Sequence, residues 1–187
     1  MKPSDLEKYS DEALVQLVLD SQNSEAYRVI YNRYIQKVNQ KCYSFLKNKQ
    51  MASEFAKDIL SKAYEKLGSY KGNSTFSSWL FSITYNYLID HLRKKKQLHY
   101  PNWNTENEIP EIIDEISSNV DELNYENLII IMEQIHPEEK ALLLMKYQDG
   151  LSLKEIASSL AISEDAVKMR LKRAKSRVVY LYEQEFD

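Results

Sequence analysis

The sequence predicts an all-α protein of two small helical domains joined by a flexible acidic linker, the C-terminal domain containing a helix-turn-helix. Three observations predict it. Glycine and proline are sparse, 3 and 4 in 187 residues, and long stretches have neither, so tight turns are few. Apolar residues recur at i, i+3 and i+4 along most of the chain, the repeat of a helix with one buried face. The charge is segregated: residues 31–96 hold 13 basic and 4 acidic side chains, and residues 97–139 hold 11 acidic and no basic ones. The net charge of −3 conceals that division.

The N-terminal domain is read as residues 1–96. Ser10 or Asp11 caps a helix over Asp11–Leu19, with Leu14, Val15, Leu17 and Val18 apolar. Ser24 is expected to cap a longer one through Tyr27, Ile30, Tyr31, Tyr34, Ile35 and Val38, running on to Phe45 or Leu46. A third spans about Ala52 to Leu67, with Gly68 in the C′ position. Tyr70–Thr75 is a loop containing Gly72 and Asn73, and a fourth helix follows from about Phe76 to Lys95. Its basic end suits the negative pole of a helix. Residues 97–122 lose periodicity and contain Pro101 and Pro110, which marks a linker. In the C-terminal domain, 123–187, helices resume near Asp121–Ile135, and Pro137 opens another with Glu138 and Glu139 in its first turn.

The segment Gly150–Lys175 carries the most information. Ser152 and Glu155 match a capping box, in which hydroxyl and carboxylate each satisfy an orphan backbone N–H. Ile156, Ala157 and Leu160 share a face, and Ala161–Ser163 breaks the helix, with Ser163 capping the next one. That helix turns Val167 and Leu171 inward and Lys168, Arg170, Lys172, Arg173 and Lys175 outward. A basic helix held at a fixed angle to its neighbour is what docking in the major groove requires. A plain helical hairpin with a solvated basic face is the competing reading.

Residues 70–96 interleave aromatic and basic side chains. Aromatic faces stack on unpaired bases, and nearby cations neutralise phosphates. Phe76, Trp79, Leu80 and Ile83 follow helical spacing and are mostly core; Tyr70, Asn86 and the loop's polar groups are the better candidates for contacting DNA. Little favours an enzyme. His91, His99 and His136 are scattered, and there is no zinc-protease helix, P-loop or Cys/His metal spacing. No metal or cofactor is expected. The single cysteine, Cys42, reads as a small buried residue.

Three motifs resemble the extracytoplasmic-function group of bacterial alternative sigma factors, and the likeness runs from about Glu25 to Tyr182. They are residues 51–67, similar to region 2.2 of that family; the spaced set Phe76, Trp79, Leu80, Ile83, Asn86, Ile89, Asp90 and Arg93; and the helix-turn-helix, preceded by Pro137 and by Tyr147, Gly150, Leu151 and Ser152. The resemblance implies that residues 1–96 are a region 2 domain and 123–187 a region 4 domain. It implies contact between the β′ clamp helices of core RNA polymerase and Glu54, Lys57 and Asp58, with Glu54 and Lys57 standing where the family usually has Asp and Gln. The minus-ten element of promoter DNA would meet Tyr70, Gly72, Asn73, Ser74, Asn86, Arg93, Lys94, Lys95 and Lys96. The minus-thirty-five element would meet Ser163, Lys168, Met169, Arg170, Lys172 and Arg173. Ala161 replaces a glycine common at the turn, tolerable if its φ stays negative. The β flap and an anti-sigma factor are further implied partners.

The acidic block has three readings: a spacer, a nucleic-acid mimic in a positively charged polymerase channel, or a shield over the chain's own basic surfaces that salt would weaken. A stand-alone helix-turn-helix regulator is the rival to the sigma-factor reading, but leaves residues 51–96 without a purpose. The N-terminus lacks the apolar core of a signal peptide, and the longest apolar run, Leu128–Met132, is too short to span a bilayer. A cytoplasmic protein with no membrane insertion is therefore expected.

Overall fold

The computed structural model describes residues 3–94 and 124–186. Every regular element among them is helical: α1 (Pro3–Leu6), α2 (Asp11–Ser21), α3 (Ser24–Leu46), α4 (Lys49–Glu65), α5 (Phe76–Lys94), α6 (Tyr125–Gln134), α7 (Pro137–Leu143), α8 (Leu153–Leu160) and α9 (Glu164–Phe186). The chain divides into two compact units, Met1–Leu88 and Ile89–Asp187, and the division falls inside α5. The expected linker, 97–122, lies outside the described residues.

In the first unit α3 is the hub, packed by α1, α2 and α4. Its buried stripe, Ala26, Val29, Ile30, Tyr34, Val38 and Cys42, follows the predicted spacing. It meets Leu14, Val15 and Val18 of α2, Ala52, Ala56, Ile59, Leu60 and Ala63 of α4, and Phe76, Leu80 and Leu88 of α5. Each fully buried large side chain contributes about 1.5–3 kcal/mol. Cys42 belongs to this core, and burial pushes its thiol up to about 12. Two helix starts are corrected. Asn23, not Ser24, caps α3, because its carboxamide oxygen accepts the Ala26 N–H at 3.2 Å. α4 starts three residues earlier than Ala52, because Asn48 accepts the Met51 N–H at 3.0 Å. Gly68 does not end a helix in the left-handed conformation; it lies within the 3-10 turn Leu67–Ser69 that follows α4.

In the second unit α9 is the spine, touched by α6, α7 and α8. α7 is buried almost throughout and passes into a π-helical turn, Leu144–Gln148. The capping box of α8 forms as expected, with Glu155 N–H to Ser152 Oγ at 3.2 Å and Ser152 N–H to Glu155 Oε2 at 2.7 Å. A second one opens α7 with an unusual cap. His136 Nδ1 accepts the Glu138 N–H at 3.3 Å, while the Glu139 carboxylate accepts the His136 N–H at 3.1 Å. Glu139 is buried and also pairs with Arg177 of α9 at 3.2 Å.

Ala161 closes α8 in the left-handed region, φ 53°, so the condition for its being harmless is not met. A β-carbon there costs about 1–2 kcal/mol, of which glycine's extra chain entropy in the unfolded state takes back part. Ala161→Gly should therefore stabilise the second unit by about 1 kcal/mol, read as a raised midpoint in urea; an unchanged or lowered midpoint counts against the strain.

His136 can cap α7 only while neutral, since protonated Nδ1 accepts nothing. Burial, and then Arg177 and Arg93, hold its pKa below the ordinary 6.5 against the pull of Glu138. The unfolded chain thus takes up its proton first, so this stabilisation is complete above pH 6.5 and is lost as pH falls through the folded value. Glu139 opposes it: burial raises its pKa above 4.5, which favours the fold on the acid side. His136→Asn keeps a capping acceptor without a titrating ring. The variant should lose the destabilisation of wild type below pH 6.5 in urea titrations at stepped pH; an identical pH profile would exclude the His136 cap as its source.

Candidate nucleic-acid interface

The loop between the 3-10 turn and α5 is a braced structure. Gly72 takes φ +70°, which turns the chain at its tip. The Tyr70 hydroxyl donates to the Ser74 carbonyl at 2.6 Å, and its ring lies 5.8 Å from Phe76 and 5.6 Å from Trp79. Thr75 caps α5, its Oγ1 accepting the Ser78 N–H at 3.2 Å. The Phe76 N–H goes to Glu12 of α2 at 3.3 Å. Tyr70 thus spends its hydroxyl and much of its ring inside the unit, while Lys71, Gly72 and Asn73 stay exposed at the tip.

Asn86 is half-buried on α5, seven residues beyond Trp79 and on the same side of the helix, about 10 Å further along the axis. Ser82 lies between them. Near the end of α5, Arg93 is exposed and pairs with Glu138, its Nε donating to Oε1 at 2.7 Å; Asp90 is a weaker partner at 4.0 Å. Lys94 is exposed, and Lys95 and Lys96 lie outside the described residues.

Glu54, Lys57 and Asp58 form one exposed face of α4, as the spacing requires. Gln50 donates to Glu54 at 3.1 Å. Asp58 accepts the Tyr87 hydroxyl from α5 at 3.3 Å, with the Lys62 ammonium 4.3 Å from the centre of the Tyr87 ring. Sequence reasoning missed Tyr87 and Glu12. Their partners lie 29 and 64 residues away, and no local pattern signals such a pairing.

On the second unit, Ser163 caps α9, accepting the Ala166 N–H at 3.1 Å. Val167, Leu171, Ala174 and Val178 are buried, which leaves Lys168, Met169, Lys172 and Arg173 as a stripe on the other side. Met169 is 54% exposed, so an apolar side chain faces water in the middle of the basic stripe. Lys168 reaches Asp165 at 3.2 Å, Arg170 is half-buried, and the Lys175 ammonium lies 5.4 Å from the centre of the Tyr147 ring. Ile156 and Ala157 of α8 pack against α9 and hold the stripe at a fixed angle.

Residues 30–97 match the Sigma-70 region 2 family, and 125–178 match Sigma-70, region 4. The chain is 30% identical over 164 residues to the ECF RNA polymerase sigma factor SigW of Bacillus subtilis, covering 82% of this chain and 87% of that one. It is 25% identical over 187 residues to the ECF sigma-E factor of Escherichia coli K12, covering 92% and 94%. Among solved structures, CnrH in complex with the cytosolic domain of CnrY aligns with a TM-score of 0.61 at 17% identity, covering 94% of this chain and 98% of that one. The sigma factor RpoE of Bartonella quintana, solved with the anti-sigma factor NepR, aligns at 0.58 and 16%, covering 85% and 98%. The chain belongs to the ECF sigma-factor family and takes part in transcription initiation with RNA polymerase. That family is not one of catalytic enzymes. No helix among the described residues is long and apolar enough to cross a membrane.

Proposed function

We propose that the chain grips promoters at two points while bound to core polymerase, residues 1–96 acting at the minus-ten element and 123–187 at the minus-thirty-five element. Glu54, Lys57 and Asp58 dock on the β′ clamp helices, and the second unit seats on the β flap. The loop tip at Gly72 and Asn73, with Ser74 and Asn86, receives a base turned out of the duplex, and the basic end of α5 follows the backbone. Extruding a base costs a few kcal/mol, and stacking or pocketing it returns about 1–3 kcal/mol, so capture and opening are nearly balanced until polymerase adds its contacts. The stripe on α9 enters the major groove upstream. An anti-sigma partner, of the kind present in the RpoE structure, would act by covering these same polar faces.

The observation that carries this reading is the braced loop: Tyr70, Phe76 and Trp79 lock it onto α5 and leave Lys71–Asn73 outside. A stand-alone helix-turn-helix regulator has no use for it.

Two variants assembled with core polymerase test the division of labour. Asn86→Ala should leave polymerase binding intact and reduce permanganate-reactive opening. Loss of polymerase binding instead would make Asn86 structural. Arg173→Ala should weaken promoter binding by about 1–3 kcal/mol, roughly 5- to 150-fold, and relax preference at one upstream position. An unchanged upstream preference rejects that role for Arg173.

A further inference from the structure

We infer that Met169 of α9 reads the 5-methyl group of one thymine in the upstream promoter element, an apolar contact set inside a polar stripe. The inference rests on the minus-thirty-five reading above and names the chemical group that this part of the site selects.

Met169 is 54% exposed, against 44% for Tyr180 and 37% for Phe186, so among the described residues of α9 it is the large apolar side chain most open to water. The buried side of the helix is made by Val167, Leu171, Ala174 and Val178, and Met169 takes no part in it. An unbranched thioether gains by leaving water for another apolar group, and its sulfur accepts hydrogen bonds only weakly.

The neighbours define the surface it meets. Glu164 and Asp165 open the helix, and Lys168 reaches Asp165 at 3.2 Å. Two carboxylates against one ammonium leave this end unsuited to a phosphate backbone. Lys172 and Arg173 follow Met169 by three and four residues on the same side, and cations of that kind suit phosphates and purine edges. Met169 stands between the two groups, about 6 Å along the axis from Asp165 and from Arg173. In a helix-turn-helix the N-terminal part of the second helix meets base edges, and Met169 lies in that part of α9.

The floor of the major groove offers donors, acceptors and one apolar group, the thymine methyl. A thioether over cytosine N4 or a purine edge strips water from a polar group and returns no good hydrogen bond. Over thymine it buries a methyl at little polar cost. The contact therefore favours thymine and disfavours the other three bases.

The test uses the full chain with core polymerase and a promoter selected by that complex. Each thymine of the upstream element, on either strand, is replaced singly by deoxyuridine, which removes the methyl and leaves the pairing unchanged. In wild type one such replacement should weaken binding about three- to fourfold, the worth of one buried methyl. Met169→Gln keeps the side chain's length and makes its end polar. With that variant, and with Met169→Ala, the same two DNAs should bind alike. Because two DNAs are compared on one protein, a change in the variant's own stability cancels.

A replacement that costs the same in wild type and in both variants overturns the contact. So does a selected upstream element without an A·T pair. If the complex selects no upstream block at all, the minus-thirty-five reading falls, and the contact with it. If the block is selected while wild type tolerates deoxyuridine at every position, the contact alone falls.

Discussion

Phe76 is the residue on which the first unit's surface depends. It is fully buried, with its ring in edge or tilted contact with Tyr34, Tyr70 and Trp79, and its N–H held by Glu12. Through it α2, α3, the loop and α5 share one anchor. The consequence is a loop that is polar at its tip and aromatic at its base, and so keeps its shape in water. A pocket for an extruded base needs that property, because ordering the loop at the moment of capture would consume the small gain from stacking.

The second unit meets the same need by another route. Two capping boxes start α7 and α8, and α9 supplies one buried side to three neighbours. The basic stripe lies opposite that buried side, so its position is set by Val167, Leu171, Ala174 and Val178. The cost is concentrated at the turn, where Ala161 adopts a left-handed conformation that a glycine would take more easily. The turn angle is thereby kept at the expense of stability.

Much of this was legible in the sequence. Helical periodicity located α2, α3, α5 and α9, and the Ser152–Glu155 box, the Ser163 cap and Pro137 placed the C-terminal elements, because these are signals within four residues. The starts of α3 and α4 were misplaced because Asn23 and Asn48 compete with nearby serine and alanine as starting points, and only the folded backbone decides between them. Which candidate residues share one helix face was visible from spacing. Tyr87 against Asp58 and Glu12 against the α5 N-terminus were not, since each joins elements far apart in sequence. Tyr70 shows the same limit: it was legible as an aromatic beside a loop, but its bond to Ser74 was not.

The central claim, a two-point grip that operates only with polymerase, is tested most directly by sequencing the DNA retained by the chain with core polymerase and mapping its permanganate-reactive thymines. The account predicts two sequence blocks at a fixed separation, an upstream one that stays duplex and a downstream one that becomes reactive. Either a single block, or the same DNA retained equally well by the chain without polymerase, would contradict it.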